Sequence, residues 1–258
     1  MTFESRIEDD APVASGVESG PDLRARLPVL VIMHGEASSA GRIGQALRQR
    51  GFGLEICKPR YGSALPRTLA NHAGVVVFGG PMSCNDPECY IKDEIDFVGV
   101  ALKENKPFFG VCLGAQMLAK HLGAAVGKHP AGRVEIGYHK VRPTPHGRQL
   151  GPWPEHVYQW HREGFDVPPG GVSLAHGDVF ENQAFSVGDA AIGIQFHPEI
   201  TYAMVHRWTT MAKDWRDSDG AQERSGQLTS HLLHAGAVNG WLGGLVDAWL
   251  GGRVQVAI

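Results

Sequence analysis

The sequence predicts an α/β fold built on a single doubly wound, mostly parallel sheet with helices on both faces and a small antiparallel extension. Short apolar runs alternate with helical patterns, an order typical of such sheets. One run, at residues 75–78, is apolar throughout, as expected for a strand buried on both faces. Glycines follow two of the runs, at Gly79-Gly80 and around Cys112. Sites in open α/β sheets lie beyond the carboxyl ends of the strands, so both turns are candidate site positions.

The first half of the chain carries the clearest alternation. Strands are predicted at 27–33, 53–57, 75–78 and 108–111, helices at 42–50 and 91–103, and a short helix or turn at 65–70. Ile43 and Leu47 point inward from the first helix, which Gly51 ends. In the second helix, three apolar residues are spaced for one face: Ile95, Val98 and Leu102.

The second half is richer in β-forming residues before it becomes helical. We expect an antiparallel extension at 134–138, strands at 156–160, 172–175, 183–187 and 190–195, and helices at 201–215, 222–235 and 237–250. Met204, Trp208 and Met211 recur at helical spacing in the first of these helices. In the last helix, an apolar stripe of Trp241, Leu245 and Trp249 recurs every four residues. Such a stripe more often packs against a sheet than forms a partner surface.

A chain of 258 residues is long enough for one large domain and marginal for two. Residues 1–26 are acidic, contain Pro, Gly and Ser, and show little periodicity, which predicts a flexible leader. This leader has no apolar run of the kind that a secretory signal needs. We expect one domain over 27–250, with helices from about residue 201 packed on it, and a tail at 251–258.

Composition excludes some classes of function. The net charge of −3 gives no reason to expect nucleic acid or an anionic membrane as partner. Four cysteines without a metal-binding spacing are typical of reduced thiols in a cytoplasmic protein. The thirteen histidines are scattered, so no metal and no cofactor is predicted. The oligomeric state stays open.

Cys112 stands between a predicted strand and a helical pattern, with Gly110 and Gly114 on either side. This is the cysteine version of a nucleophile elbow, in which glycines permit a sharp turn. The helix N-terminus favours a thiolate, and the N–H of Leu113 points to where an oxyanion would form. The alternative is an ordinary buried thiol.

A second stretch favours the catalytic interpretation. His197 and Glu199 follow a predicted strand and are separated by Pro198. His197 would activate the thiol, and Glu199 would orient the imidazole. A backbone N–H at the Gly79-Gly80 turn would supply a second oxyanion donor, although such a turn can also be a simple connection.

Together these motifs carry a family resemblance. Gly-Val-Cys112-Leu-Gly-x-Gln116 with Gln-Phe-His197-Pro-Glu199 resembles the class I (triad) glutamine amidotransferases, and most of all stand-alone proteins related to the amidotransferase domain of GMP synthase. Residues 77–83 match the oxyanion loop of that family. The resemblance covers roughly residues 28–210 and implies a flavodoxin-like fold.

The resemblance implies an enzyme in which the Cys112 thiolate attacks the glutamine side-chain amide, forms a γ-glutamyl thioester and releases ammonia and glutamate. It also implies that Gln116 contacts the amino-acid end of the substrate. The family carries a Ser-His-Gly-Asp turn where this chain has Trp160, His161 and Arg162, which become candidate substrate-binding residues. Arg162 replaces the glycine, which leaves strict glutamine specificity open: Arg162 and Glu163 would either bind another γ-glutamyl compound or pair on the surface.

Three functions remain open at this point. The first is a glutaminase that passes ammonia to a separate synthetase partner. The second is a stand-alone hydrolase or transferase of γ-glutamyl compounds, and the third is a binding or regulatory protein without turnover. His34 and Glu36, after the first strand, are expected to form a solvated or capping loop rather than an acid–base pair.

Overall fold

A computed structural model describes residues 27–211, 215 and 218–252. The predicted leader at 1–26 and most of the predicted tail at 251–258 therefore lie outside the described residues. The strands in the described ranges are β1 (Val29–Ile32), β2 (Leu54–Cys57), β3 (Gly74–Val77), β4 (Phe108–Val111), β5 (Val126–Lys128), β6 (Glu135–Lys140), β7 (Arg142–Pro143), β8 (His156–His161), β9 (Glu163–Phe165), β10 (Gly171–His176), β11 (Asn182–Val187) and β12 (Ala191–Ile194).

Eight strands form the main sheet in the order β2-β1-β3-β4-β12-β11-β10-β7. The first five run parallel, and their order is that of flavodoxin-like sheets. The last three are antiparallel to their neighbours. The predicted fold class is confirmed: a doubly wound, mostly parallel sheet with an antiparallel extension.

The helices are α1 (Gly41–Gln49), α2 (Cys89–Lys103), α3 (Leu113–His121), α4 (Tyr202–Met211) and α5 (Arg224–Leu250). Successive residues of a strand point to opposite faces of the sheet. Val29 and Val31 of β1 accordingly join the apolar cluster that contains residues of α1 and α5. Leu30 and Ile32 join the cluster on the other face, with residues of α2 and α3.

The segment predicted at 134–138 is antiparallel but lies outside the main sheet. As part of β6 it pairs with β8 in a two-stranded ribbon, and β5 pairs with β9 in another. Tyr138 and Tyr158 of the first ribbon pack with residues of α4 in a third apolar cluster. The ribbon therefore buries its apolar side chains away from the sheet edge, and the extension of the main sheet is β11, β10 and β7.

The face of α2 that is buried differs from the prediction. Ile95 and Leu102 are only half-buried, and the buried side chains are those of Ile91, Glu94, Phe97, Val98 and Ala101. Glu94 is buried although it is charged. Its carboxylate hydrogen-bonds to a buried histidine, which supplies the polar partner that burial requires.

The two predicted C-terminal helices are one helix, α5. Glycine inside a helix costs only about 1 kcal/mol, and Trp241, Leu245 and Trp249 bury fully in the core beside the sheet. This confirms that the stripe packs against the sheet. Helix α4 is described as far as Met211, which is exposed rather than part of the apolar face.

Two smaller points concern the rest of the described chain. Residues 65–70 form no helix and lead into a turn at Ala70 and Asn71. None of the helices within the described ranges combines the length and apolarity needed to cross a bilayer.

Candidate active site

Three neighbouring parallel strands end at the same edge of the sheet. β3 leads into Gly79-Gly80, β4 leads into Cys112, and β12 leads into the loop that carries His197. Because β4 lies between the other two strands, the three segments meet beyond its carboxyl end. The glycine turn, the Cys112 elbow and the His197 loop, each identified separately from the sequence, therefore lie together in one site.

Cys112 has φ 51° and ψ −106°, a sparsely populated conformation for a residue with a side chain. Both flanking positions require glycine, because backbone atoms lie where a Cβ would be. A Cβ on Gly110 would lie 2.6 Å from the Gly114 carbonyl carbon, and a Cβ on Gly114 would overlap the Val77 carbonyl oxygen. Helix α3 can therefore start directly above the sheet, with Cys112 between strand and helix.

Helix α3 begins at Leu113, so its first N–H groups have no carbonyl partner within the helix. The Cys112 N–H donates to the Ile194 carbonyl at 2.8 Å, which ties the elbow to β12. The partial positive charge of this helix N-terminus therefore lies beside the Cys112 thiol. The same free N–H groups are potential donors to an oxyanion.

His197 is held between a carboxylate and the thiol. Its Nδ1 lies 2.7 Å from Glu199 Oε1, and the Cys112 side chain lies close enough to the imidazole to act on its charge. Burial alone would lower the pKa of His197. The Glu199 carboxylate and the Cys112 sulfur outweigh burial and raise this pKa to about 10.

The glycine turn after β3 packs directly against this group. A Cβ on Gly79 would lie 2.8 Å from His197 Cε1 and 3.3 Å from Cys112 Cβ. A Cβ on Gly80 would lie 2.8 Å from the Cβ of His34. The turn can approach the thiol and the imidazole this closely only because it lacks side chains.

His34 was expected to lie in a solvated or capping loop, and the structure shows that this expectation is wrong. Its side chain is fully buried, and its Nε2 lies 2.6 Å from Glu94 Oε2. Glu36 is exposed, so these two residues do not form a pair. The end of β1 carries His34 inward behind the glycine turn, where the buried Glu94 of α2 supplies the polar partner that a buried imidazole needs.

The four candidate substrate-binding residues occupy different environments. Gln116 donates to the Glu163 carbonyl at 2.8 Å and to Gln195 Oε1 at 3.3 Å. His161 is buried, with its ring nitrogens 3.0 Å from Glu135 Oε2 and from the Glu163 carbonyl. Neither side chain lines the cleft beside Cys112.

Trp160 lines that cleft, whereas the exposed Arg162 reaches it only indirectly. The guanidinium carbon of Arg162 lies 5.3 Å from the ring centroid of Trp215, which also lines the cleft. One further polar contact reaches the thiol: Gln195 Nε2 lies 3.6 Å from Cys112 Sγ. No role was predicted for Gln195 from the sequence.

The cleft has a volume of about 270 Å³. Its wall contains the site residues Gly79, Gly80, Cys112, His197 and Glu199, and also Phe78, Trp160, Met204, Arg207, Trp208 and Trp215. From the sequence, Met204 and Trp208 were identified only as apolar residues that recur at helical spacing. The partial exposure of Trp208, which no periodicity reveals, is what makes it part of the cleft.

This arrangement suits nucleophilic attack on a carbonyl carbon. A thiol contacts an imidazole, a carboxylate orients the imidazole, and backbone N–H groups lie beside the thiol. Within residues 27–211, 215 and 218–252, no three His, Cys, Asp or Glu side chains are grouped so that they could hold a metal ion.

Comparison with known proteins places this geometry in context. The family model for class I glutamine amidotransferases matches residues 34–206. A GMP synthase [glutamine-hydrolyzing] of Aeropyrum pernix is 30% identical over 212 residues, which are 80% of this chain and 40% of the synthase. The chain therefore spans about two fifths of the length of that relative.

Two further proteins are closer in size. The glutamine amidotransferase-like protein YfeJ of Salmonella typhimurium is 29% identical over 67% of this chain and 76% of its own length. The crystal structure of a glutamine amidotransferase from Methylobacillus flagellatus superposes with a TM-score of 0.82 at 27% identity. The superposition covers 91% of this chain and 98% of that one.

Proposed function

The chain belongs to the class I glutamine amidotransferase family, and from this premise we propose that it hydrolyses the side-chain amide of glutamine. The products would be glutamate and ammonia, formed through a γ-glutamyl thioester on Cys112. One observation carries the proposal: Cys112, His197 and Glu199 are in sequential contact at the strand ends, beneath the Gly79-Gly80 turn.

In the first half-reaction the Cys112 thiolate attacks the amide carbon, and the carbonyl oxygen becomes an oxyanion. The N–H groups of Leu113 and Gly80 stabilise that charge. The His197 imidazolium donates a proton to the nitrogen as the C–N bond breaks, and ammonia departs. The raised pKa of His197 supports this role, because the imidazole then carries its proton at neutral pH.

In the second half-reaction neutral His197 accepts a proton from water. The hydroxide attacks the thioester carbon, the C–S bond breaks, and glutamate leaves as the Cys112 thiolate and the His197 imidazolium form again. Glu199, 2.7 Å from the imidazole, stabilises the imidazolium in both halves. Oxygen, nitrogen and protons balance with one water consumed for each amide hydrolysed.

The fate of the ammonia belongs to the same proposal. The Aeropyrum pernix relative is named as a GMP synthase that hydrolyses glutamine, and this chain spans only 40% of it. We expect the ammonia to pass to a separate synthetase that accepts it. A pull-down with the full-length chain as bait, followed by an assay of ammonia transfer to the captured protein, would test this expectation independently of hydrolysis.

Matched cysteine variants test the hydrolysis itself. Cys112→Ala should abolish release of glutamate and ammonia from glutamine, because no other group can form the thioester. Cys89→Ala is the control, since Cys89 is an exposed cysteine at the start of α2, away from the cleft. Equal release by both variants would refute the assignment of Cys112.

A second candidate substrate class is a γ-glutamyl amide with a substituent on its nitrogen. Trp160, Trp208 and Trp215 form an aromatic wall on the cleft, with Trp160 stacked on Trp215 and edge-on to Trp208. Glutamine, whose amide nitrogen leaves as ammonia, has no group that packs against this wall. An apolar substituent on the nitrogen would gain binding free energy from burial against the rings. Turnover of γ-glutamyl-p-nitroanilide in preference to glutamine would support this candidate. Turnover of neither would favour a binding or regulatory role.

A further inference from the structure

His34 is a fully buried histidine with two polar contacts on opposite sides of its ring. Nε2 lies 2.6 Å from Glu94 Oε2, and Nδ1 lies 3.2 Å from the carbonyl oxygen of Gly79. A carbonyl oxygen only accepts hydrogen bonds, so Nδ1 carries the hydrogen of that contact. The imidazole therefore donates to the backbone of the glycine turn, with its other nitrogen fixed by Glu94.

The carboxylate of Glu94 has few hydrogen-bond partners besides His34. Glu94 lies in the middle of α2 and is 2% exposed, and its second oxygen, Oε1, has no hydrogen-bond partner among the described residues. Burying an acidic side chain costs desolvation free energy, and the attraction within an ion pair rarely compensates for all of it. Replacing such a pair by apolar residues often leaves the stability of the fold unchanged or raises it. A contribution to fold stability therefore does not by itself explain why His34 and Glu94 form a buried pair.

The orientation of one peptide group explains the pair better. Two consecutive glycines leave the Gly79–Gly80 peptide free to adopt several orientations. The described chain contains no cis peptide bond, so the N–H of Gly80 points away from the Gly79 carbonyl. Since that carbonyl faces His34, the Gly80 N–H faces the opposite side, where Gly79 packs on His197 and Cys112.

We infer that His34, held by Glu94, is a positioning residue that fixes the Gly79–Gly80 peptide with the Gly80 N–H directed at the oxyanion of the reaction. The inference rests on the proposed function, because only a reaction that develops negative charge on a carbonyl oxygen requires that donor. His34 touches neither the thiol nor the substrate and acts through the backbone.

An apolar double variant separates this role from a structural one. His34→Leu combined with Glu94→Leu removes both polar groups without leaving an unpaired buried charge. All variants are made in the Cys89→Ala parent, because Cys89 is the only exposed cysteine. Burial raises the pKa of Cys57 and of Cys84 to about 11, which keeps these two thiols unreactive near neutral pH.

Three readouts are compared with the parent. The double variant should lose on the order of 10²-fold in kcat for glutamine, the loss typical of one oxyanion donor, with KM little changed. The rate at which iodoacetamide alkylates Cys112 should stay the same, because displacement at a methylene carbon forms no oxyanion. Thermal unfolding should also stay the same. An unchanged kcat in this folded variant would overturn the inference.

A second pair of variants covers failure of the first to fold. In the Glu94→Gln background, His34→Asn keeps an N–H near the position of Nδ1, and His34→Val has none. The Asn variant should retain most of the kcat, and the Val variant should lose it. Equal kcat values in the two variants would overturn the inference.

Failure of the proposed function can be told apart from failure of the inference. If the parent releases no ammonia from glutamine, the proposed function fails, and the crystal structure of the Leu double variant decides the rest. A Gly79–Gly80 peptide that turns or becomes disordered supports the positioning role. A peptide that keeps its orientation without His34 overturns it.

Discussion

The Nδ1 atom of His197 lies 2.7 Å from Oε1 of Glu199, and both side chains are almost wholly buried. Pro198 separates the two residues, and the segment that contains them is neither helix nor strand. The other carboxylate oxygen, Oε2, has no hydrogen-bond partner within the described ranges. The charge of Glu199 therefore acts mainly on the imidazole, which in turn contacts Cys112.

The first prediction concerns Glu199→Gln. This change removes the charge but keeps the burial, so burial becomes dominant and the pKa of His197 should fall well below about 10. Loss of imidazolium should lower kcat for glutamine by about 10²- to 10⁴-fold, the usual contribution of a general acid or base. An NMR titration of His197 and steady-state kinetics measure the two effects. Glu36→Gln, at an exposed site, is the control, and an unchanged titration would contradict the argument.

The second prediction is a dependence of stability on pH. The folded-state pKa of His197 is raised from 6.5 to about 10, so the folded state binds the proton more tightly than the unfolded state. The contribution of His197 is complete below pH 6.5 and declines as the pH rises toward 10. Urea unfolding of the wild-type chain and of His197→Gln should show a stability difference that shrinks over this interval. A constant or growing difference would count against the raised pKa.

Local patterns were sufficient to predict that the proposed catalytic residues lie at one edge of the sheet. Apolar runs at β3, β4 and β12 mark strands of a parallel sheet, and their carboxyl ends meet at one edge whatever the exact register. Cys112 and His197 follow two of these runs directly. The strand order that is typical of the fold class is therefore sufficient to predict that these two residues lie close together.

Contacts between distant elements could not be predicted in the same way. The interaction of His34 with Glu94 joins the end of β1 to the middle of α2, and a glutamate on a helix is ordinarily assigned to solvent. The aromatic wall combines Trp160 from β8, Trp208 from α4 and Trp215. Each is common in cores, and only three-dimensional packing decides which ring faces a cleft.

The third prediction concerns the glycine turn. Gly79→Ala would place a Cβ 2.8 Å from His197 Cε1 and 3.3 Å from Cys112 Cβ, so the loop or the imidazole must move. We expect kcat for glutamine to fall by on the order of 10²-fold, because both general catalysis and the oxyanion donor depend on this spacing. Gly127→Ala is the control, since no atom lies within 4 Å of its added Cβ. Full activity of Gly79→Ala would show that the turn tolerates displacement.

The fourth prediction separates two helical glycines by their surroundings. A Cβ on Gly114 would overlap the Val77 carbonyl oxygen, so Gly114→Ala should destabilise the fold by more than about 1 kcal/mol. Gly240 lies inside α5 with open space around it. Gly240→Ala should therefore stabilise the protein by about 0.5–1 kcal/mol through helix propensity. Chemical unfolding measures both, and destabilisation by the second change would contradict the assignment of α5 as one continuous helix.

The fifth prediction tests what the aromatic wall contributes to substrate choice. Trp160 contacts both other rings of the wall, Trp208 and Trp215, at ring-centroid distances of 5.8 and 6.3 Å. Trp160→Ala should remove one of the three indole rings against which a substituent on the amide nitrogen could pack. It should lower kcat/KM for γ-glutamyl-p-nitroanilide about tenfold more than kcat/KM for glutamine, a ratio typical of one altered apolar contact in a pocket.

Trp160→Phe provides the matched control for this comparison, because it keeps an aromatic face of smaller area at the same position. It should lie between the wild-type chain and Trp160→Ala in the ratio of the two kcat/KM values. If Trp160→Ala lowers both values equally, the wall supports the general shape of the site and does not select the leaving group. A change in the ratio, by contrast, requires that the substituent and the indole be in contact when the C–N bond breaks, which assigns this part of the cleft to the departing amine.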